Sequence, residues 1–177
     1  LNGLEQIKAN ILSIKSEGLL QDKAVSVRNG WRLDNPHKHE KLAFLKAYLD
    51  YLLMSIVKFY KLPSDINYDM ASWLNLHESG GFNVMHHHGE SLVSGVIYIS
   101  APDGSGEIKF KDPRPAINYL KRPLGPVGSK QEQIRKNRTL FPAGQIGQKP
   151  KDGLCIVFPS WLEHFVEPSE AHSPDNP

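Results

Sequence analysis

The hydrophobic period changes once along this chain, and that change does most to limit what it can fold into. As far as Tyr60 the apolar residues recur every three or four positions, whereas from Tyr68 they fall in short runs of the kind strands make. In the front part, Leu4, Ile7, Ile11 and Ile14 share one face of a helix, Lys8 and Lys15 lie off it, and Gly18 is placed to end it. A second, stronger helix is expected from about His39 to Tyr60. Its apolar stripe is Leu42, Leu45, Leu49, Leu52, Ile56 and Phe59, and Pro63 bars its continuation. Stripes of this width are packing surfaces, expected to lie against the outside of a sheet.

In the remainder, strands are expected at Tyr68 to Leu76, Leu92 to Ser100, Glu107 to Phe110, Leu154 to Phe158 and His164 to Val166. The segments Pro102-Asp-Gly-Ser-Gly106 and Lys151-Asp-Gly153 supply turn chemistry between them. Short strands separated by Gly and Pro turns, with a few helices outside, describe a jelly roll. The chain therefore reads as one mainly β domain over residues 1–177, with a helical front at 1–63 and a jelly-roll body at 64–177. The mouth of such a roll can hold a metal, because inward-facing strand residues converge there.

Two stretches carry the chemistry. Asn83-Val-Met-His-His-His-Gly-Glu90 crowds His86, His87, His88 and Glu90 together, and Phe158-Pro-Ser-Trp-Leu-Glu-His-Phe-Val166 returns His164 far downstream in an aromatic setting. Side chains two apart on a strand point the same way. Either His86 with His88, or His88 with Glu90, can therefore converge on one ion with His164. Two or three neutral imidazoles with at most one carboxylate suit Fe(II), leaving coordination positions open for a cosubstrate and oxygen. A histidine run standing alone can instead be a solvated loop that picks up metal incidentally, so its surroundings matter.

Bulk properties exclude some partners. Lys and Arg total 21 against 19 acidic residues, a near-balance that argues against a nucleic-acid or membrane-surface partner. No apolar run approaches the ~20 residues of a membrane span. The lone Cys155 cannot form an internal disulfide, and in Leu154-Cys-Ile-Val-Phe158 it reads as a strand thiol packed in the fold. The expected setting is a reducing cytoplasm, where Fe(II) persists. The chain opens on Leu1, so its natural start is expected further upstream. Between Ala116 and Arg138, Lys121, Arg122, Lys130, Arg135, Lys136 and Arg138 face a single Glu132. This is either a solvated surface loop or a lid that draws in an anionic substrate.

The ordered motifs resemble the 2-oxoglutarate and Fe(II)-dependent oxygenases, and within them a little-characterised bacterial and phage branch. They run Trp73-Leu-Asn75, Asn83-Val-Met-His86-His-His88, Ser94-Gly-Val-Ile-Tyr98, Ser105-Gly106, Asp112-Pro-Arg114 and Phe158-Pro-Ser-Trp-Leu-Glu-His164. Ser26-Val-Arg-Asn-Gly-Trp31 looks like the family's opening segment. The resemblance implies a double-stranded β-helix, Fe(II) and 2-oxoglutarate as cofactors, ascorbate as the reductant in assays, and a hydroxylase acting on a small-molecule or peptide substrate. It implies His86, His88 and His164 as metal ligands, with Glu90 the alternative to His86. Tyr98 favours the first set, because its spacing from His86 is closer to the family's than its spacing from His88. The resemblance also makes Tyr98 the hydrogen-bond donor to the cosubstrate's far carboxylate. Asn75 and Ser94 are polar positions suited to the same cavity, and Arg114 could pair a carboxylate or simply neighbouring Asp112. In the family an arginine beyond the distal histidine clamps that carboxylate, and no Arg or Lys follows His164 here. The natural chain is therefore expected to continue past Pro177 with a strand carrying one. Two other classes share this barrel: a three-histidine cupin dioxygenase or isomerase that uses no 2-oxo acid, and a metal-free jelly-roll binding module.

Overall fold

The computed structural model describes residues 3–22, 25–114 and 145–171. The first helix, α1 (Leu4–Ser16), buries the predicted face: Ile7, Ile11 and Ile14 are all inside. Gly18 ends it as expected. Its φ of 72° is the left-handed conformation that glycine adopts without steric cost, and it lets the Leu19 amide reach back to the Ile14 carbonyl at 3.2 Å. The strand β1 (Val27–Asp34) follows, then two short 3-10 turns, Pro36–Lys38 and Glu40–Leu42, and then α2 (Leu45–Phe59). The second helix is thus shorter than its period suggested. Leu42 sits in the preceding 3-10 turn, fully buried, while Phe59 is 79% exposed and Val57 is the residue that α2 buries completely. Lys61, with φ 54°, closes that helix where a glycine would be usual, and Pro63 lies just beyond.

The body consists of β2 (Trp73–His86), β3 (Val93–Ile97), β4 (Ile108–Lys111), β5 (Gln145–Gln148), β6 (Cys155–Pro159) and β7 (His164–Val166). They form two antiparallel sheets, a large one ordered β1-β2-β7-β4-β5 and a small one of β3 and β6. Four of the five expected strands appear within a residue or three of their predicted ends. The fifth does not: residues 68–72 are not strand, and β2 begins at Trp73 and runs through to His86. Two strands, β1 and β5, had no counterpart in the sequence reading.

The alternation of β2 decides how the layers sit. Trp31, Leu33, Leu74 and Leu76 turn to α1 and pack against Ile7, Ile11, Ile14, Leu20 and Leu42. Each such buried aliphatic side chain contributes about 1.5–3 kcal/mol. The first helix therefore packs on the outside of the sheet. The intervening residues, Arg32 and Asp34 on β1 with Asn75 and Trp73 on β2, are direct register partners and face the other way, into the roll. The basic stretch 116–138 and the tail beyond Ala171 lie outside the described residues.

Candidate metal centre

Why His86 faces the interior depends on an irregularity. Asn83 pairs with Val166 and His86 with His164, so β2 advances three residues while β7 advances two. Regular alternation over three residues would turn His86 to the opposite face from Asn83. The extra residue is a bulge that restores it. Val166 and His164 share a face, and their partners therefore share it too. Asn83 is held there by a buried chain: His77 Nε2–H donates to Asn83 Oδ1 at 2.8 Å, and Asn83 Nδ2 donates to Ser26 Oγ at 3.0 Å.

His88 reaches the same point by a different route from the one its spacing suggested. The strand ends at His86, so strand alternation does not place His88. Its backbone amide donates instead to the Ser160 carbonyl at 2.9 Å, which ties it to the turn between β6 and β7. Ser160 is fully buried, and its hydroxyl pairs with that of Ser94 at 2.7 Å.

The three rings now meet. Ring centroids are 4.3 Å apart for His86 and His164, 5.0 Å for His86 and His88, and 5.2 Å for His88 and His164. One ligating nitrogen from each lies within 4.8 Å of the others. His87 and Glu90 are exposed, and Glu90 is not part of this group. Phe158 and Phe110 wall the centre, with ring centroids 4.7 and 6.0 Å from His164.

The protonation chemistry suits metal binding. Burial first, then the crowding of neighbouring imidazoles and Arg32, pushes His88 from the ordinary 6.5 to about 4. Burial also lowers His86 and His164. All three therefore hold a lone pair at neutral pH. His86 Nδ1 lies 2.7 Å from the Val84 carbonyl and His164 Nδ1 lies 2.8 Å from the Leu162 carbonyl. A carbonyl only accepts, so both Nδ1 atoms carry the proton and both Nε2 atoms are left to coordinate.

The remaining expected positions divide. Among the described residues, the Tyr98 hydroxyl and Asn75 Oδ1 are buried without a hydrogen-bond partner. Burial pushes the phenol up to about 12, so it stays a proton donor. An orphaned buried donor costs about 1–3 kcal/mol, and a carboxylate oxygen of an incoming cosubstrate would satisfy it. Ser94 is already engaged by Ser160. Arg114 grips Asp112 through both Nε and Nη2, and that pair holds the Asp112 carboxyl down to about 2. Cys155 is half-buried and free, its thiol pushed up by burial.

Arg32 and Trp73 complete the surroundings, and neither was picked out from sequence as a site residue. The Arg32 guanidinium carbon lies 4.7 Å from the Trp73 ring centroid, and that ring lies 5.1 Å from His88. The signal was present but interrupted. The alternation Trp31, Leu33 against Arg32, Asp34 is regular, yet a bulge at Asn29, with φ 48°, breaks the pattern before it.

The chain is similar to known proteins in sequence and in fold. Residues 71–174 match the family model described as "Putative 2OG-Fe(II) oxygenase". The chain belongs to that family, and with it to the enzymes that use Fe(II) and 2-oxoglutarate. No functionally curated protein matches it in sequence. Among solved structures it is similar to a prolyl-4-hydroxylase of Pseudomonas putida, with a TM-score of 0.64 and 17% identity, over 94% of this chain and 79% of that one. At that identity the likeness concerns the fold, the double-stranded β-helix. Among the described residues no helix is long and apolar enough to cross a membrane.

Proposed function

We propose that this chain is a 2-oxoglutarate-dependent hydroxylase whose single Fe(II) is held by His86, His88 and His164. The observation that carries the assignment is the convergence of three ring nitrogens within 4.8 Å, two of them with their tautomers set by backbone carbonyls. Bound there, the iron would supply the oxidation of the substrate C–H bond, coupled to decarboxylation of 2-oxoglutarate to succinate. The protein's own residues do the rest. Phe110 and Phe158 keep water from His164, and the Ser160 carbonyl fixes His88. The Tyr98 hydroxyl, buried and without a partner among the described residues, donates to the cosubstrate's far carboxylate.

The test is metal content and turnover together. The wild-type protein, reconstituted without oxygen, should bind one Fe(II) per chain. With ascorbate and air it should release succinate slowly even without substrate. Iron that binds while no succinate forms and no visible band appears on anaerobic 2-oxoglutarate addition would move the protein to three-histidine chemistry without a 2-oxo acid.

A further inference from the structure

Arg32 is a largely enclosed charge with four of its five N–H donors unused among the described residues. Its side chain is only 11% exposed. Nε donates to Asp34 Oδ1 at 2.7 Å, and the planar face lies over Trp73. Among the described residues the two terminal nitrogens have no partner. They are not sealed off either, since the buried orphan atoms are those of Asp50, Asn75 and Tyr98. A guanidinium held at one edge, with its outer fork open, matches the two oxygens of a carboxylate. Asp34 offsets only part of the charge and is itself 39% exposed.

Position says what that fork faces. Arg32 is the register partner of Asn75, so both point into the roll. Its guanidinium and His88 both lie against the Trp73 ring, 4.7 and 5.1 Å from the ring centroid. Arg32 stands on β1, the edge strand of the large sheet, whereas Tyr98 extends β3 of the small one. The two donors thus stand on different sheets.

Building on the hydroxylase reading above, we propose that Arg32 and Trp73 form the substrate-side dock of this enzyme, which takes a substrate bearing a carboxylate. The carboxylate sits on the open guanidinium fork, its carbon skeleton lies against the indole, and the reacting C–H bond is one ring-width away at the histidines. The neighbouring Asn75 amide adds a polar contact of either sense, because its orientation follows its partner.

The dock is tested with benzoate and its neutral isostere benzamide as probes. They are titrated into Zn(II)-loaded protein already saturated with 2-oxoglutarate, with the Trp73 indole resonance followed by NMR. Benzoate should bind about tenfold tighter than benzamide, the scale of a charge-assisted hydrogen bond. Arg32→Gln should erase that preference while leaving 2-oxoglutarate affinity within about twofold. Should Arg32→Gln fail to fold, Arg32→Lys carries the same comparison, keeping part of the preference because it retains charge without the fork. The proposal is overturned if wild-type protein shows no benzoate preference, or if the preference survives in Arg32→Gln. It is also overturned if the variant loses 2-oxoglutarate binding instead, which would make Arg32 the cosubstrate's own clamp. Zn(II) and 2-oxoglutarate binding are read separately, so a failure of the metal-centre assignment would show before any probe is added.

Discussion

The two faces of β2 differ by one residue in position and by everything in chemistry. Leu74 and Leu76 close the apolar layer beneath α1, where Ile7 and Ile14 are almost inaccessible. Trp73 and Asn75, on the other face, belong to a cavity of imidazoles, an arginine and orphaned polar atoms. The first face can be rebuilt with other aliphatic residues of similar volume. The second tolerates no such exchange, because its donors and lone pairs must keep their directions. A strand of period two is what lets one short segment serve both.

That contrast can be broken from either side. The largest effect is expected at His164→Ala, which removes one of three nitrogens and should weaken metal binding by at least about a hundredfold. The same variant should still melt cooperatively, because α1 and its contacts are untouched. Stoichiometric iron in that variant would sink the ligand assignment. On the opposite face, Ile14→Ala should cost about 2–5 kcal/mol in denaturant unfolding, with metal affinity unchanged under native conditions. Coupled losses of both would show that the two faces are not independent.

Acid sharpens the comparison. His77, His86, His88 and His164 all have folded values depressed by burial below the ordinary 6.5. Their contribution to stability is therefore complete above 6.5. It is lost as the pH falls towards about 4, because the unfolded chain takes up protons that the folded one resists. Metal-free protein should lose thermal stability across that window, and a flat profile would contradict the burial of the cluster. Ser160→Ala should cost about 1–2 kcal/mol through the lost Ser94 contact, yet it keeps the carbonyl that holds His88 and so most of the metal affinity. The smallest effect belongs to the exposed His87: its replacement by alanine should stay within about 0.5 kcal/mol of wild-type stability and leave iron binding intact.

Much of this was legible from residue order alone, and the exceptions have physical causes. The helical face of α1, the glycine that ends it and the bounds of β7 follow from local rules. His86, His88 and His164 were legible as a group, but the reason His88 joins them was not. A backbone bond to Ser160 depends on two segments meeting in space, and no periodicity encodes it. The four residues of β5 are all exposed and include a glycine, so they lack the alternation that betrays a strand. In α2 the period located the helix but misplaced its burial. Phe59 fits the stripe, yet the helix ends before anything covers it. Arg32 escaped notice because a bulge hides the strand that carries it.

The pairing of β7 with β2 rests on only two partner positions, and β7 is three residues long. So short a strand has little pattern of its own to specify where it should lie. A slip of one residue would turn His164 to the opposite face and dismantle the nitrogen trio. An ion bound by that trio therefore acts as a checksum on the arrangement, since only correctly paired chains can retain it. At a hundred times its dissociation constant such an ion adds about 2.7 kcal/mol to the paired state. Iron supply during synthesis would then govern how much of the protein matures, as well as how fast the mature protein works.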